Sequence, residues 1–159
     1  MDLEVRLYVE RAGNELRLAK AVFSLSRNPG IKKQLGANED DTFYSAAISH
    51  AYYSIFYAAK ALLLSKGVRT KPPEIHKKTY DMFREIFVDT GILDVELLKI
   101  YDTLLVRADE LLSLFKEEKW KRGRFTYQTI SQANVPYAEE SLKNARKFVE
   151  NVLEIVSKK

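Results

Sequence analysis

The sequence predicts an all-α fold, an up-and-down antiparallel helical bundle of about five helices forming one domain over residues 1–159. Three observations lead there. Apolar residues recur at helical spacing through most of the chain. No segment alternates apolar and polar residues as a half-buried strand does. Six glycines and four prolines among 159 residues are too few for a turn-rich β protein, while 46% apolar residues argue against disorder.

The first helix is read from Val5, Tyr8, Val9, Ala12, Leu16, Ala19 and Phe23, and it fades at Arg27-Asn28-Pro29-Gly30. The next dozen residues, through Gly36 and Asn38-Glu39-Asp40-Asp41, are expected to form a loop. Its acidic end suits a helix N-terminus, where the helix dipole favours negative charge. The second helix runs from about Thr42 to Ser65 and is apolar on nearly every side, so neighbours should cover it on nearly every side. Gly67 ends it.

Pro72-Pro73-Glu74 opens a third helix that turns Ile75, Met82, Phe83, Ile86 and Phe87 inward and ends by Gly91. Asp94 can cap a fourth, whose inner face carries Leu97, Tyr101, Leu104, Ala108, Leu111 and Phe115. The fifth starts near Asn134-Val135-Pro136 and repeats the rhythm at Ala138, Leu142, Ala145, Val149, Val152 and Val156. Short links between such helices place sequential neighbours side by side and antiparallel.

Several chemistries are excluded early. With no cysteine there is no disulfide, thiolate nucleophile or Cys-ligated metal, which fits a cytoplasmic location. His50 and His76 lie 26 positions apart, neither in an H-x-x-x-H or H-E-x-x-H pattern, so no metal site is expected. Gly30 and Gly36 lack the Lys-Ser/Thr pair of a phosphate loop. No cofactor is implied. The N-terminal stretch has charges every few residues in place of a secretory h-region. Ala46 to Leu64 is long enough to span a bilayer, but His50, Lys60, three tyrosines and two serines make lipid a poor solvent for it; no membrane association is expected.

Positive charge gathers in two places, on a chain whose formal net charge is +4. One is the turn holding Lys66, Arg69, Lys71, His76, Lys77 and Lys78. The other is Lys119-Trp120-Lys121-Arg122-Gly123-Arg124-Phe125-Thr126-Tyr127, in which four cations interleave with three aromatics. Cations neutralise phosphates and flat rings stack on unpaired bases, so this mixture is suited to single-stranded RNA or a nucleotide. The plainer alternative is a solvated loop with Trp120 and Phe125 folded back on the bundle. His50, set among aromatics and small residues, reads as a satisfied core or dimer-face histidine. Tyr52, Tyr53 and Tyr57 cannot all face one dry core and read as packing with hydroxyls at the rim.

The segment YSAAISHAYYSIFYAAKALLLSKG, from Tyr44 to Gly67, resembles the signature helix of HEPN domains, small helical bundles named for nucleotide binding in higher eukaryotes and prokaryotes. Ala51, Tyr52, Tyr53, Phe56, Ala58, Ala59, Ala61, Leu62 and Leu63 carry the match, and IHKKTYDMFREIFVDTG and PYAEESLKNARKFVENV are similar to the following stretches. The resemblance implies a homodimer working beside a minimal nucleotidyltransferase protein in a toxin–antitoxin-like pair. Many such domains are metal-independent RNases with an Arg-x(4 to 6)-His motif near the last long helix. Histidine there moves a proton while arginine holds phosphate.

By position, Arg122 to Tyr127 is similar to that motif segment, with Tyr127 in the histidine slot. A phenol titrates about 3.5 units above an imidazole and is a poor base at neutral pH. By literal spacing, Arg69-x6-His76 also satisfies the pattern, at the turn before the third helix, where capping or phosphate contact is the competing role. The expected function is therefore a homodimeric nucleotide- or RNA-binding module, with Arg122, Arg124 and Lys121 on phosphate, Trp120 and Phe125 on a base and Tyr127 donating a hydrogen bond. The alternatives are a metal-independent endoribonuclease using Arg122 and Tyr127, or Arg69 and His76, and a non-catalytic structural adaptor.

Overall fold

The computed structural model describes residues 1–112 and 135–158. Six helices are present among them: α1 (Leu3–Ser26), α2 (Pro29–Gln34), α3 (Tyr44–Ser65), α4 (Ile75–Phe83), α5 (Val95–Leu112) and α6 (Val135–Ser157). No strand occurs among the described residues. α4 continues into a π-helical turn at Arg84–Val88, which adds a residue per turn and swings Phe87 into the core. The all-α bundle follows the sequence expectation.

α3 is the central rod, with α1, α4, α5 and α6 all packed against it. Small residues make the close approach possible: Ala12 and Ala19 of α1 and Ala47, Ala51, Ala58, Ala59 and Ala61 of α3 are fully buried. Phe83, Phe87, Tyr101 and Phe148 fill the opposite side between α4, α5 and α6. A smaller apolar cluster of Tyr44, Ile48 and Ala138, backed by Phe23, Leu111 and Tyr137, closes the end of the bundle where α5 stops and α6 starts.

Two local expectations give way. The expected loop after α1 contains a helix, because Asn28 caps it (Oδ1 accepts from Ile31 N at 3.0 Å) and Pro29 sits in the first turn. Gly36, at φ 75°, then takes the left-handed turn that ends it. Nor does the acidic run feed the start of α3. Asp41 Oδ2 instead accepts from Asn38 N at 2.8 Å, and the buried Lys32 ammonium donates to the carbonyls of Glu39 and Asp41. α3 begins at Phe43, whose N–H donates to Ser26 Oγ of α1 at 2.8 Å, with no side chain capping its first turn.

Two helix boundaries behave as read, whereas Tyr52, read with Tyr53 and Tyr57 as carrying a rim hydroxyl, is fully buried. Gly67 ends α3 at φ 78°, and Asp94 Oδ1 accepts from Glu96 N at 2.7 Å at the head of α5. No helix among the described residues is long and apolar enough to cross a membrane.

Candidate functional site

The basic-aromatic segment, with Trp120, Lys121, Arg122, Arg124, Phe125 and Tyr127, lies outside the described residues. Its two anchors do not. α5 leads into it and α6 follows it, and within two turns of those ends one side chain stands out. Arg107 of α5 has a side chain only 9% exposed. Its guanidinium donates to Glu140 Oε2 at 2.9 Å and to Ser141 Oγ at 3.0 Å, both on α6, and lies 5.1 Å from the Tyr137 ring. Nε is buried with no acceptor among the described residues. A charge is costly to desolvate, and the half-exposed Glu140 offsets only part of that cost. Asp109, on the same turn of α5, is buried as well.

Sequence reading missed Arg107. Leu104, Ala108 and Leu111 define the inner face of α5, so an arginine beside them reads as solvent-facing. Its burial comes from α6 lying across it. The one available signal was a cation inside the apolar run Leu104-Leu105-Val106-Arg107-Ala108.

The alternative pair, Arg69 and His76, flanks the start of α4 with separate partners. Arg69 is half-exposed and its guanidinium is held by Glu4 of α1. The hydrogen bond and nearby charge of Glu4 hold the guanidinium pKa above its ordinary value. His76 is turned the other way: its Nδ1 lies 2.7 Å from the Tyr52 hydroxyl and its ring centroid 4.5 Å from that of Phe56. Burial, and then the Lys60 ammonium, push the His76 pKa below the usual value, so the ring is neutral at pH 7. Tyr52 is fully buried, and its pKa is driven well above that of a free phenol by burial and by the charges of Tyr101, Tyr53 and Asp109. Neutral tyrosine bonded to neutral histidine is a stable buried pair.

His50, read as a satisfied core or dimer-face histidine, is satisfied but only partly buried. Its Nδ1 meets Glu15 Oε2 at 2.6 Å across the α1–α3 seam. Tyr53 and Tyr57 lie at that seam with part of each ring exposed, and Arg11 sits 4.5 Å over Tyr57. Among the described residues no group of three or more His, Asp or Glu side chains is placed to hold a metal ion.

The model of the HEPN domain matches residues 33–159, from within α2 through α6. The chain belongs to the HEPN family. Its relatives include a "putative toxin" of Methanocaldococcus jannaschii, 26% identical over 94% of this chain and 86% of that protein. A second "putative toxin" of the same organism is 44% identical over 42% of this chain and 45% of its own length. A "UPF0332 protein" of Pyrococcus horikoshii is 40% identical over 43% of this chain and 44% of its own length. Two of these three matches thus span under half of the relative. The HEPN match takes in α3, Arg69, His76, Arg107 and the whole basic-aromatic segment, while α1, which supplies Glu4 and Glu15, precedes it.

Proposed function

We propose that this HEPN chain is the RNA- or nucleotide-binding half of a toxin-like two-protein pair, acting as a homodimer beside a minimal nucleotidyltransferase. The observation that carries the reading is Arg107. A guanidinium buried at the junction of α5 and α6, tied to Glu140 and Ser141, fixes the two helix ends between which the basic-aromatic segment is strung. Preorganised flanking helices lower the entropic cost of binding. Arg122, Arg124 and Lys121 then neutralise phosphate, Trp120 and Phe125 stack on bases, and Tyr127 donates a hydrogen bond. The names of the two archaeal relatives favour a toxin-like role.

Binding is favoured over RNA cleavage because Arg69 and His76 are not brought together: Arg69 is held by Glu4 of α1, while His76 is turned onto Tyr52 and Phe56. Fluorescence anisotropy with a labelled single-stranded RNA tests the reading. The wild type should bind at low salt with affinity falling as salt rises. Arg122→Gln/Arg124→Gln should weaken binding at least tenfold and flatten the salt slope by about two. An unchanged affinity would remove the segment from the site. Cleavage in EDTA that Arg122→Ala abolishes would make the protein an RNase instead. Light scattering at the 18.4 kDa monomer mass would contradict the dimer.

A further inference from the structure

Where α1, α3 and the turn into α4 meet there is an open cleft of about 350 Å³ that shares no lining residue with the α5–α6 junction. Its rim carries three cations, Lys60, Arg69 and Lys71, and one carboxylate, Glu4. Its walls are apolar, formed by Leu64, Val68, Pro72 and Ile75. The turn that presents the cations is pinned from beneath. Thr70 Oγ1 lies 2.8 Å from Thr79 Oγ1, both buried, and Thr79 Oγ1 in turn donates to the Ile75 carbonyl at 2.7 Å. Lys78 Nζ donates to the Lys71 carbonyl at 3.3 Å, adding a cation just behind the rim. Lys60 Nζ is fixed 4.9 Å over the Tyr8 ring and donates to the Thr70 carbonyl at 3.4 Å. Lys60 and Arg69 are thus held by named partners and the Lys71 backbone is tied down beside them, in a cleft of the size that holds small ligands.

We propose that this cleft binds a phosphomonoester with an apolar or aromatic body, of nucleoside-monophosphate size, the phosphate on Lys60, Arg69 and Lys71 and the body against Leu64, Val68, Pro72 and Ile75. The charge balance selects the ligand. Three lining cations against the single carboxylate of Glu4, with Lys78 behind the rim, leave an excess of positive charge that suits the dianion of a terminal phosphate better than the single charge of an internal phosphodiester. His76, near Lys60 and neutral, adds none. Asp2 stands close enough to act on Arg69 but does not line the cleft. Glu4 already occupies Arg69, so an arriving phosphate displaces it, and removing Glu4 frees the guanidinium for the ligand. The site shares no residue with the basic-aromatic segment and stands or falls separately from it.

Residue-resolved NMR titration of the full chain with adenosine 5′-monophosphate tests the site. The amides of Leu64 and Val68–Lys71 should shift saturably, while adenosine leaves them in place and 3′,5′-cyclic AMP, a monoanion, binds at least fivefold more weakly. Arg69→Gln should weaken binding at least fivefold and Glu4→Gln should tighten it two- to threefold; both positions are solvent-exposed, so folding is preserved. Arg122→Gln/Arg124→Gln should leave these shifts unchanged. A 5′-phosphorylated RNA octamer that displaces the nucleotide, where its 5′-hydroxyl counterpart does not, would assign the site to RNA ends; no displacement by either would assign it to free mononucleotides. Absence of shifts at Leu64 and Val68–Lys71, or shifts indifferent to Arg69→Gln and Glu4→Gln, overturns the proposal.

Discussion

Two aromatic regions flank the central helix, and they use the same residue type to opposite ends. On the α4–α5–α6 side the Tyr101 ring is fully buried among Tyr80, Phe83 and Phe148 at centroid distances of 5.2 to 5.5 Å. Its hydroxyl has no partner among the described residues, and burial drives its pKa far above the ordinary phenol value. On the α1 side Tyr8, Tyr53 and Tyr57 form a half-exposed ladder, with Tyr57 stacked on both of the others and Arg11, Lys60 and Glu15 around it. The first region is a core that tolerates a hydroxyl, and the second is a surface that uses rings to hold charges in place. Tyr52 stands between them, its ring buried like that of Tyr101 but its hydroxyl bonded to His76. Burial alone therefore does not fix what a tyrosine does here; the fate of its hydroxyl does.

Truncation gives the largest test of this contrast. Tyr101→Ala removes a fully buried ring from a packed site and should cost about 3–5 kcal/mol. Tyr57→Ala loses a partly exposed ring whose remaining neighbours can be rewetted, and should cost about 1 kcal/mol. Urea denaturation of both variants checks the ranking, and equal costs would mean the α1 seam is as dry as the core.

Removing only the hydroxyls should then reverse the sign between two equally buried residues. Tyr52→Phe breaks the bond to His76 and leaves Nδ1 without its partner, a loss of about 1 kcal/mol. Tyr101→Phe deletes an unsatisfied buried hydroxyl and should be neutral or stabilising by up to about 1 kcal/mol. Parallel denaturation curves decide it. If both variants lose stability alike, the Tyr101 hydroxyl has an acceptor after all.

The sequence placed rings on inner faces but separated neither the half-exposed ladder from the buried core nor the bonded hydroxyl from the orphan. Helical spacing places Tyr101 on the inner face of α5 and Tyr8 on that of α1, and the all-round apolarity of α3 matches its burial on most sides. Val5, Ala12, Leu104 and Val152 are buried as the periodicity requires. What periodicity cannot report is pairing between distant positions. Tyr52 meets His76 across 24 residues, Arg107 meets Glu140 across 33 and Arg69 meets Glu4 across 65, each joining two elements whose mutual placement only the fold decides. Reading Asn28-Pro29-Gly30 as a breaker missed α2 for a different reason: the signals that stop one helix, an Asn cap and a Pro in the first turn, also start the next. Of the candidate site, Arg69 and His76 were singled out by spacing alone, and the spacing carried no information about their separate partners.

The smallest effect concerns the contact between the two regions, and it is read as a pH dependence. Tyr52 ties the core to His76, and His76 lies against Phe56 close to the Lys60 ammonium, so a proton arriving on its ring would be met by an apolar surface and a like charge. The folded-state pKa is lowered below the unfolded value, so above the unfolded pKa the ring is neutral in both states and titration takes nothing from stability. As pH falls through the unfolded value toward the folded one, the unfolded chain takes up protons that the native state refuses, and stability is lost. Between about pH 7 and pH 5 the wild type should therefore lose more stability than His76→Gln, which keeps a hydrogen-bonding side chain near Tyr52 and does not titrate. Chemical denaturation of the two proteins at matched pH isolates the difference, because the other titrating groups are common to both. Parallel losses would show that His76 is reached by solvent on the charged side of the molecule and belongs to the wet seam instead of the boundary.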